Sequence, residues 1–198
     1  MRTPLMVAVP ALLLALSSLS AQQQPNQPRG QMPALGRPTQ SDDPVPLFDF
    51  DAYFIGTWTF EWVVPESPLG PAGDVAGTTT YKLVDGRFYG ADTQAKGPSG
   101  SFTVRERIAY HKENKTIARH VTDSRGFSYM QIAPVGGDLG GFYNINYESE
   151  PFVFKGRTIR VRDSMRLVSP LNYRVATTIS VDKGAFTNYG NPWFQKKN

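Results

Sequence analysis

The feature that most constrains this chain is a two-residue alternation of apolar and polar side chains. In the run TWTFEWV, residues 57–63, the aromatic residues Trp58, Phe60 and Trp62 alternate with polar ones. Such a period is typical of a β-strand with one buried face, because successive side chains point to opposite sides of a strand. Similar runs recur at residues 75–83, 102–110, 117–121, 143–147, 159–167 and 171–181.

Short turn signals separate these runs. Asp85-Gly86 and Lys183-Gly184 are examples, and both are favoured turn sequences. Connections this short predict that each strand pairs with its neighbour in sequence, which is an antiparallel up-and-down meander. A long meander removes its exposed edges by closing, so we predict an all-β barrel of about nine or ten strands. A Greek-key sandwich would need a long return connection, and no candidate follows Pro71.

A short helix is predicted just before the first strand. In PLFDFDAYFIG, residues 46–56, Phe48, Ala52 and Ile55 fall at helical spacing and Gly56 ends the pattern. A helix in this position would close one mouth of the barrel.

The chain divides into three predicted segments. Residues 1–21 have the layout of a secretory signal peptide, with Arg2 followed by an apolar run and then small residues. A membrane anchor is the alternative, but it needs about 20 apolar residues and this run is shorter. Residues 22–46 are rich in Gln and Pro and predict a disordered linker, and residues 47–198 form the barrel domain. We therefore expect a secreted or periplasmic protein without a transmembrane segment after cleavage.

Composition argues against several functional classes. The net charge of +4 is modest and its basic residues are not clustered on one element, so no nucleic-acid partner is expected. With no cysteine and only two histidines, the sequence predicts no metal site. No catalytic residue and no oligomeric state is assigned.

Residues 54–62, FIGTWTFEW, resemble the Gly-x-Trp opening of lipocalins and related calycins. Residues 106–126 and 173–197 are similar to a bacterial family of secreted lipocalin-like domains of unknown function, although His111 stands where an aspartate is more usual. The resemblance implies a lipocalin-like β-barrel with Trp58 across its floor. It also implies a capping arginine over the Trp58 ring, for which Arg174 and Arg166 are the candidates. The alternative is that these arginines belong to a solvated outer face of their strands.

Nitrobindin, a haem-binding barrel with the same opening, is a further relative to consider. Its haem needs a proximal histidine in the last part of the barrel. This chain has only His111 and His120, both in the middle of the sequence. The same comparison therefore argues against haem, and no cofactor is expected.

Two acidic residues lie on otherwise apolar faces. Glu106 shares its parity with Val104 and Ile108, and Asp163 shares its parity with Val161 and Met165. A buried acid needs a partner or a wet cavity. A local bulge, or an exchange of the inner and outer strand faces, would instead place these acids in solvent.

The leading functional hypothesis is a barrel that binds a small hydrophobic or amphipathic molecule. The candidate ligand-binding residues are the inward aromatic and acidic ones: Trp62, Glu106, Tyr110, Tyr129 and Asp163. One alternative is an isomerase or hydrolase that uses Glu106 or Asp163 as a general base. Another is a non-catalytic structural or interaction module, which would have a filled core.

Overall fold

Every strand pairing in the computed structural model is antiparallel, over the described residues 47–137 and 142–197. The predicted leader and linker, residues 1–46, lie outside the described residues. The elements are α1 (Phe50–Phe54), β1 (Gly56–Val64), β2 (Gly73–Val84), β3 (Phe88–Gly97), β4 (Gly100–His111), β5 (Thr116–Asp123), β6 (Phe127–Gly137), β7 (Tyr143–Ser149), β8 (Phe152–Phe154), β9 (Arg157–Ser169), β10 (Asn172–Val181), β11 (Thr187–Gly190) and β12 (Trp193–Lys196).

Ten of these strands form a closed ring. Strands β1 to β7 pair in sequence order, β7 pairs with β9, β9 with β10, β10 with β12, and β12 returns to β1. This confirms the predicted closed antiparallel barrel with one short helix. Closure leaves no long unpaired edge in the ring.

The two remaining strands share positions with ring strands. Strand β8 pairs with β9 at Arg157–Ile159, beyond the segment of β9 that β7 covers. Strand β11 pairs with β10 at Thr177–Ile179, whereas β12 pairs with β10 at Asn172–Arg174. Strands β7 and β8 therefore lie end to end along β9, and strands β12 and β11 lie end to end along β10. As a result, the twelve strands occupy about ten places around the barrel, which is the number predicted from the sequence.

Helix α1 closes one end of the barrel. Asp49 caps it by accepting a hydrogen bond from the Ala52 backbone N–H at 3.1 Å. Phe50 and Phe54 are both buried, and the Phe50 ring stacks on Tyr89 with 4.0 Å between centroids. The predicted helix is therefore present, although it is shorter than residues 46–56. No helix in the described part of the chain is long and apolar enough to cross a membrane.

Trp58 joins α1 to the barrel wall. Its side chain is fully buried, and its indole N–H donates to the Phe54 carbonyl oxygen at 2.7 Å. The Trp58 ring also packs edge-on against Tyr173, with 4.8 Å between centroids. The hydrogen bond satisfies one of the carbonyls that a helix C-terminus leaves without an internal partner.

The predicted arginine cap over Trp58 is wrong. Arg174 follows the inward-facing Tyr173, so alternation turns its side chain to the exposed outer face. The cation over the Trp58 ring is Lys196, whose Nζ lies 5.4 Å from the centroid. Lys196 is opposite Trp58 in the β1–β12 register, which places both side chains on the same face.

Candidate functional site

The barrel interior contains two apolar layers. A floor layer surrounds α1 and Trp58, and it includes Phe54, Tyr81, Ile108, Ile117, Ile145, Met165, Leu167 and Tyr173. An upper layer lies towards the opposite mouth, and it includes Phe60, Val75, Phe127, Ile159, Val161 and Ile179. Val121 is also buried, on the inward face of β5.

A polar cluster lies between the two layers. It consists of Glu106, Arg119, Gln131, Asp163 and Thr177, one residue from each of β4, β5, β6, β9 and β10. On each strand the polar residue occupies the inward position between apolar neighbours. On β9, for example, Asp163 lies between Val161 of the upper layer and Met165 of the floor layer. Strand alternation therefore builds the cluster as a ring of polar groups at one height in the barrel.

Arg119 connects the cluster. Its Nε donates to Gln131 at 2.7 Å, its Nη2 to Asp163 at 2.5 Å and its Nη1 to Glu106 at 3.3 Å. The guanidinium also lies over the Tyr147 ring, 4.1 Å from the centroid. Burial opposes the Arg119 charge, but the carboxylates of Glu106 and Asp163 outweigh it and hold the Arg119 pKa above its usual range. Arg119 therefore stays cationic inside the barrel.

Asp163 accepts three hydrogen bonds. Its Oδ2 accepts from Arg119 and from the Gln131 amide at 3.1 Å, and its Oδ1 accepts from the Thr177 hydroxyl at 2.7 Å. A carboxylate with three donors is the form in which a buried acid is tolerated.

Glu106 accepts fewer hydrogen bonds than Asp163 does. Its side chain is 12% exposed, and Arg119 is its one hydrogen-bond donor within the described residues. Burial raises the Glu106 pKa, the charge of Arg119 acts against that rise, and the nearby Asp163 adds to it. The net effect is a raised pKa, so Glu106 is the acid in this cluster whose charge is least compensated.

Four tyrosines surround the cluster: Tyr81, Tyr129, Tyr147 and Tyr173. Burial raises the pKa of each phenol, so all four hydroxyls stay neutral at ordinary pH. The hydroxyls of Tyr81 and Tyr173 lie 3.2 Å apart and share a hydrogen bond. The Tyr129 hydroxyl has no hydrogen bond within residues 47–137 and 142–197.

A cavity of about 230 Å³ extends from the polar cluster towards the mouth opposite α1. Its walls are mainly apolar and aromatic, with Phe60, Trp62, Phe102, Val104, Val121 and Tyr129 among them. Its base includes Glu106, Arg119 and Asp163. Residues 69–71 and 97–101 line the outer end.

Arg125 lies beside this outer end. It donates to both carboxylate oxygens of Asp123, at 2.9 and 2.6 Å, and its guanidinium lies 4.1 Å from the centroid of the Phe102 ring. A weaker contact of 3.5 Å reaches the Leu69 carbonyl oxygen. Arg125 thus links the β5–β6 turn to the loop between β1 and β2 at the cavity mouth.

The structure brings together four of the five predicted ligand residues. Trp62, Glu106, Tyr129 and Asp163 all line this cavity. Tyr110 does not line it. It lies two inward positions beyond Glu106 on β4, where its ring packs on Phe48 beneath α1 with 5.7 Å between centroids.

Arg119 and Gln131 are not among the residues predicted from the sequence, although a signal for both is present. Arg119 lies two residues from both Ile117 and Val121, and Gln131 lies two residues from Tyr129 and Ala133. The same parity that identified Glu106 and Asp163 places both side chains inward. The two histidines are exposed, and no three metal-binding side chains converge anywhere in the described ranges.

No protein family matches this sequence, and no curated protein does either. Among solved structures, the chain is similar to the crystal structure of Rv2717c from M. tuberculosis, with a TM-score of 0.61 and 6% sequence identity. That match covers 73% of this chain and 93% of the other. A de novo designed fluorescence-activating β-barrel is more distantly similar, with a TM-score of 0.43 and 13% identity over 76% of this chain and 100% of the design.

The fold and the cavity together define the class of protein. The chain is a closed antiparallel β-barrel with an internal cavity that has a polar base.

Proposed function

We propose that this protein binds a small, largely apolar molecule inside its barrel, after export as a secreted or periplasmic protein. The observation that carries the proposal is the cavity of about 230 Å³, whose walls are aromatic and aliphatic and whose base is polar. Apolar walls with a few convergent polar groups are the usual form of a small-molecule site. Export is supported by the signal-like pattern of residues 1–21.

Three inward apolar side chains that line the cavity are only partly buried. Phe102 and Val104 face the barrel interior on β4, yet neither reaches the burial of Ile108 on the same face. Trp62 on β1 is also partly buried, although Phe60 and Val64 on either side of it are buried. Inward apolar surface that stays accessible is available for a ligand to cover, and each ~100 Å² covered contributes about 2.5 kcal/mol. A structural module with a filled core would not leave inward apolar surface accessible.

The cavity is held open by the barrel itself. Its walls belong to paired strands, and its base is cross-linked by the hydrogen bonds of Arg119 and Asp163. A preformed site avoids the entropy cost of ordering its residues when the ligand binds. The barrel therefore suits reversible binding without a large rearrangement.

Binding of N-phenylnaphthylamine, a neutral fluorophore that brightens in apolar surroundings, tests the proposal. Wild type should give a saturable rise in fluorescence. The Val104→Trp variant fills the cavity and should abolish it, because Val104 lines the wall. The Arg105→Trp variant is the matched control, since Arg105 is the next residue along β4. Its side chain lies on the outer face and is 84% exposed, so the same indole is added outside the cavity.

Circular dichroism of each variant confirms folding before binding is compared. Equal binding by both tryptophan variants, or none by wild type, would contradict the proposal. Native mass spectrometry of the protein purified from its own cells then identifies any molecule that it retains.

Glu106 supports a second candidate, an acid–base enzyme on the same barrel. Its carboxyl group lies at the base of the cavity, its pKa is raised mainly by burial, and Arg119 lies within hydrogen-bonding distance. Incubating the co-purified molecule with wild type and with Glu106→Gln decides between the candidates. A chemical change that only wild type produces would indicate an enzyme, whereas an unaltered molecule would indicate a carrier.

A further inference from the structure

We infer that the ligand carries a cationic amine head group, which Glu106 receives at the base of the cavity. The inference rests on the binding role proposed above and specifies the chemistry of that same site.

The first argument is the charge balance of the polar cluster. Two carboxylates, Glu106 and Asp163, face one guanidinium, that of Arg119. Arg119 lies closer to Asp163, at 2.5 Å, than to Glu106, at 3.3 Å. The cluster therefore has a net negative charge when both acids are ionised, and the uncompensated part belongs to Glu106.

The second argument is the number of hydrogen bonds that each acid makes. Asp163 accepts from Arg119, Gln131 and Thr177, so both of its oxygens have a donor. Glu106 accepts one long hydrogen bond through Oε2, and within the described ranges its Oε1 accepts none. An ammonium group donates three hydrogen bonds and would supply the donors that Glu106 lacks.

The third argument is that the base of the cavity does not suit an anion. Each of the three guanidinium nitrogens of Arg119 already donates to an acceptor. A carboxylate or phosphate entering the cavity would also lie beside Glu106 and Asp163, which would repel it. The other arginine of the cavity lining, Arg125, is paired with Asp123 at the mouth.

The aromatic surroundings of Glu106 also favour a cation. Tyr129 lines the cavity, and its free hydroxyl can accept a hydrogen bond from an ammonium group. Aromatic ring faces attract cations, as the packing of Arg119 on Tyr147 already shows in this barrel. The charged and titratable groups that interact electrostatically with Glu106 are Arg119, Asp163, Tyr81, Tyr129, Tyr147 and Tyr173.

Three probes with one naphthyl body test the inference: naphthylethylamine, naphthylethanol and naphthylacetate. Each is titrated against wild type at neutral pH by displacement of N-phenylnaphthylamine. The amine should bind about tenfold tighter than the alcohol or better, as expected for a charge-assisted hydrogen bond, and the acetate should bind weakest.

The Glu106→Gln variant should reduce the amine affinity to within about threefold of the alcohol affinity, because the glutamine keeps the shape and removes the charge. The alcohol affinity should stay the same. Glu61→Gln, on the exposed outer face of β1, is the matched control and should leave the preference for the amine unchanged.

The outcomes separate the two proposals. If the alcohol or the acetate binds wild type as tightly as the amine, the head-group inference is wrong and the binding barrel stands. An amine preference that survives in Glu106→Gln would overturn the assignment to Glu106. If neither the fluorophore nor any naphthyl probe enters wild type, the proposed function fails as well. The wild-type series decides the charge preference even if Glu106→Gln does not fold.

Discussion

Arg119 and Asp163 meet inside the barrel, with Arg119 Nη2 2.5 Å from Asp163 Oδ2, although their strands are not neighbours. Strands β6 and β7 separate β5 from β9 in the ring. The ion pair therefore joins two parts of the wall through the interior rather than along the sheet. Gln131 and Thr177 complete the link from β6 and β10. This arrangement makes the polar cluster part of the barrel's stability as well as the base of its cavity.

Removing the cation should be strongly destabilising. Arg119→Ala leaves Asp163 and Glu106 buried without their shared partner, which should reduce the free energy of unfolding by about 3–5 kcal/mol. Urea denaturation followed by circular dichroism measures the change. Arg105→Ala is the control, because it removes an arginine from an exposed ion pair on β4 and should change stability by about 0.5 kcal/mol or less. Equal losses in the two variants would show that the cluster does not stabilise the barrel.

The stability of wild type relative to Glu106→Gln should depend on pH. Because burial raises the Glu106 pKa, the folded state binds this proton more tightly than the unfolded chain does. The stabilisation from the protonated form is complete below the ordinary value of 4.5 and is lost as pH rises through the higher folded pKa. The glutamine variant should therefore gain stability relative to wild type with rising pH.

Urea titrations of both proteins at acidic and neutral pH measure this difference. Glu61→Gln, an exposed substitution on β1, controls for the loss of one acidic charge far from the cavity. A constant difference between wild type and Glu106→Gln across the pH range would count against a raised Glu106 pKa.

Trp58→Phe should destabilise the closed end of the barrel. The substitution removes the indole N–H that donates to the Phe54 carbonyl oxygen and leaves space beside Tyr173. A buried acceptor without a donor, together with a small cavity, should cost about 2–4 kcal/mol in unfolding free energy. Trp193→Phe is the control, since Trp193 is among the exposed side chains of the outer face. A similar, small loss in both variants would argue against a structural role for the Trp58 hydrogen bond.

Gly190→Ala should disturb Trp62 at the cavity wall. Gly190 has φ of +143°, and a Cβ there would lie 2.5 Å from Trp62 Cδ1. Strain in the backbone together with this clash should cost about 2 kcal/mol or more and should shift the tryptophan fluorescence. Gly100→Ala is the matched control, because Gly100 also has positive φ, +103°, but an added Cβ there meets nothing within 4 Å. A loss no larger than that of the control would show that Trp62 moves aside freely.

The alternation in the sequence placed Glu106 and Asp163 on otherwise apolar strand faces, and both side chains point into the barrel, where Asp163 is buried and Glu106 is 12% exposed. The same rule applied to Arg119 would have supplied their partner, because Arg119 lies between Ile117 and Val121 at the same parity. The information was local and present in the sequence. Tyr110 also points inward on β4, but it lies at a different height along the barrel from Glu106 and packs on Phe48.

The cap over Trp58 shows a different limit. Choosing between Arg174, Arg166 and Lys196 requires knowing which strand lies beside β1. That neighbour is β12, a four-residue strand near the end of the chain that enters between β10 and β1. Short strands have little periodicity of their own, so sequence alternation could not place it.

The sequence by itself determined seven alternating runs that form strands, their inner and outer faces and the helix that precedes them. These are local properties, because side-chain alternation and turn formation depend on residues a few positions apart. The tertiary structure decided which inward polar groups meet, which cation covers Trp58 and where a cavity stays open. Those features depend on closure of the ring and on the register between strands far apart in sequence, which bring Arg119 to Asp163 from 44 positions away.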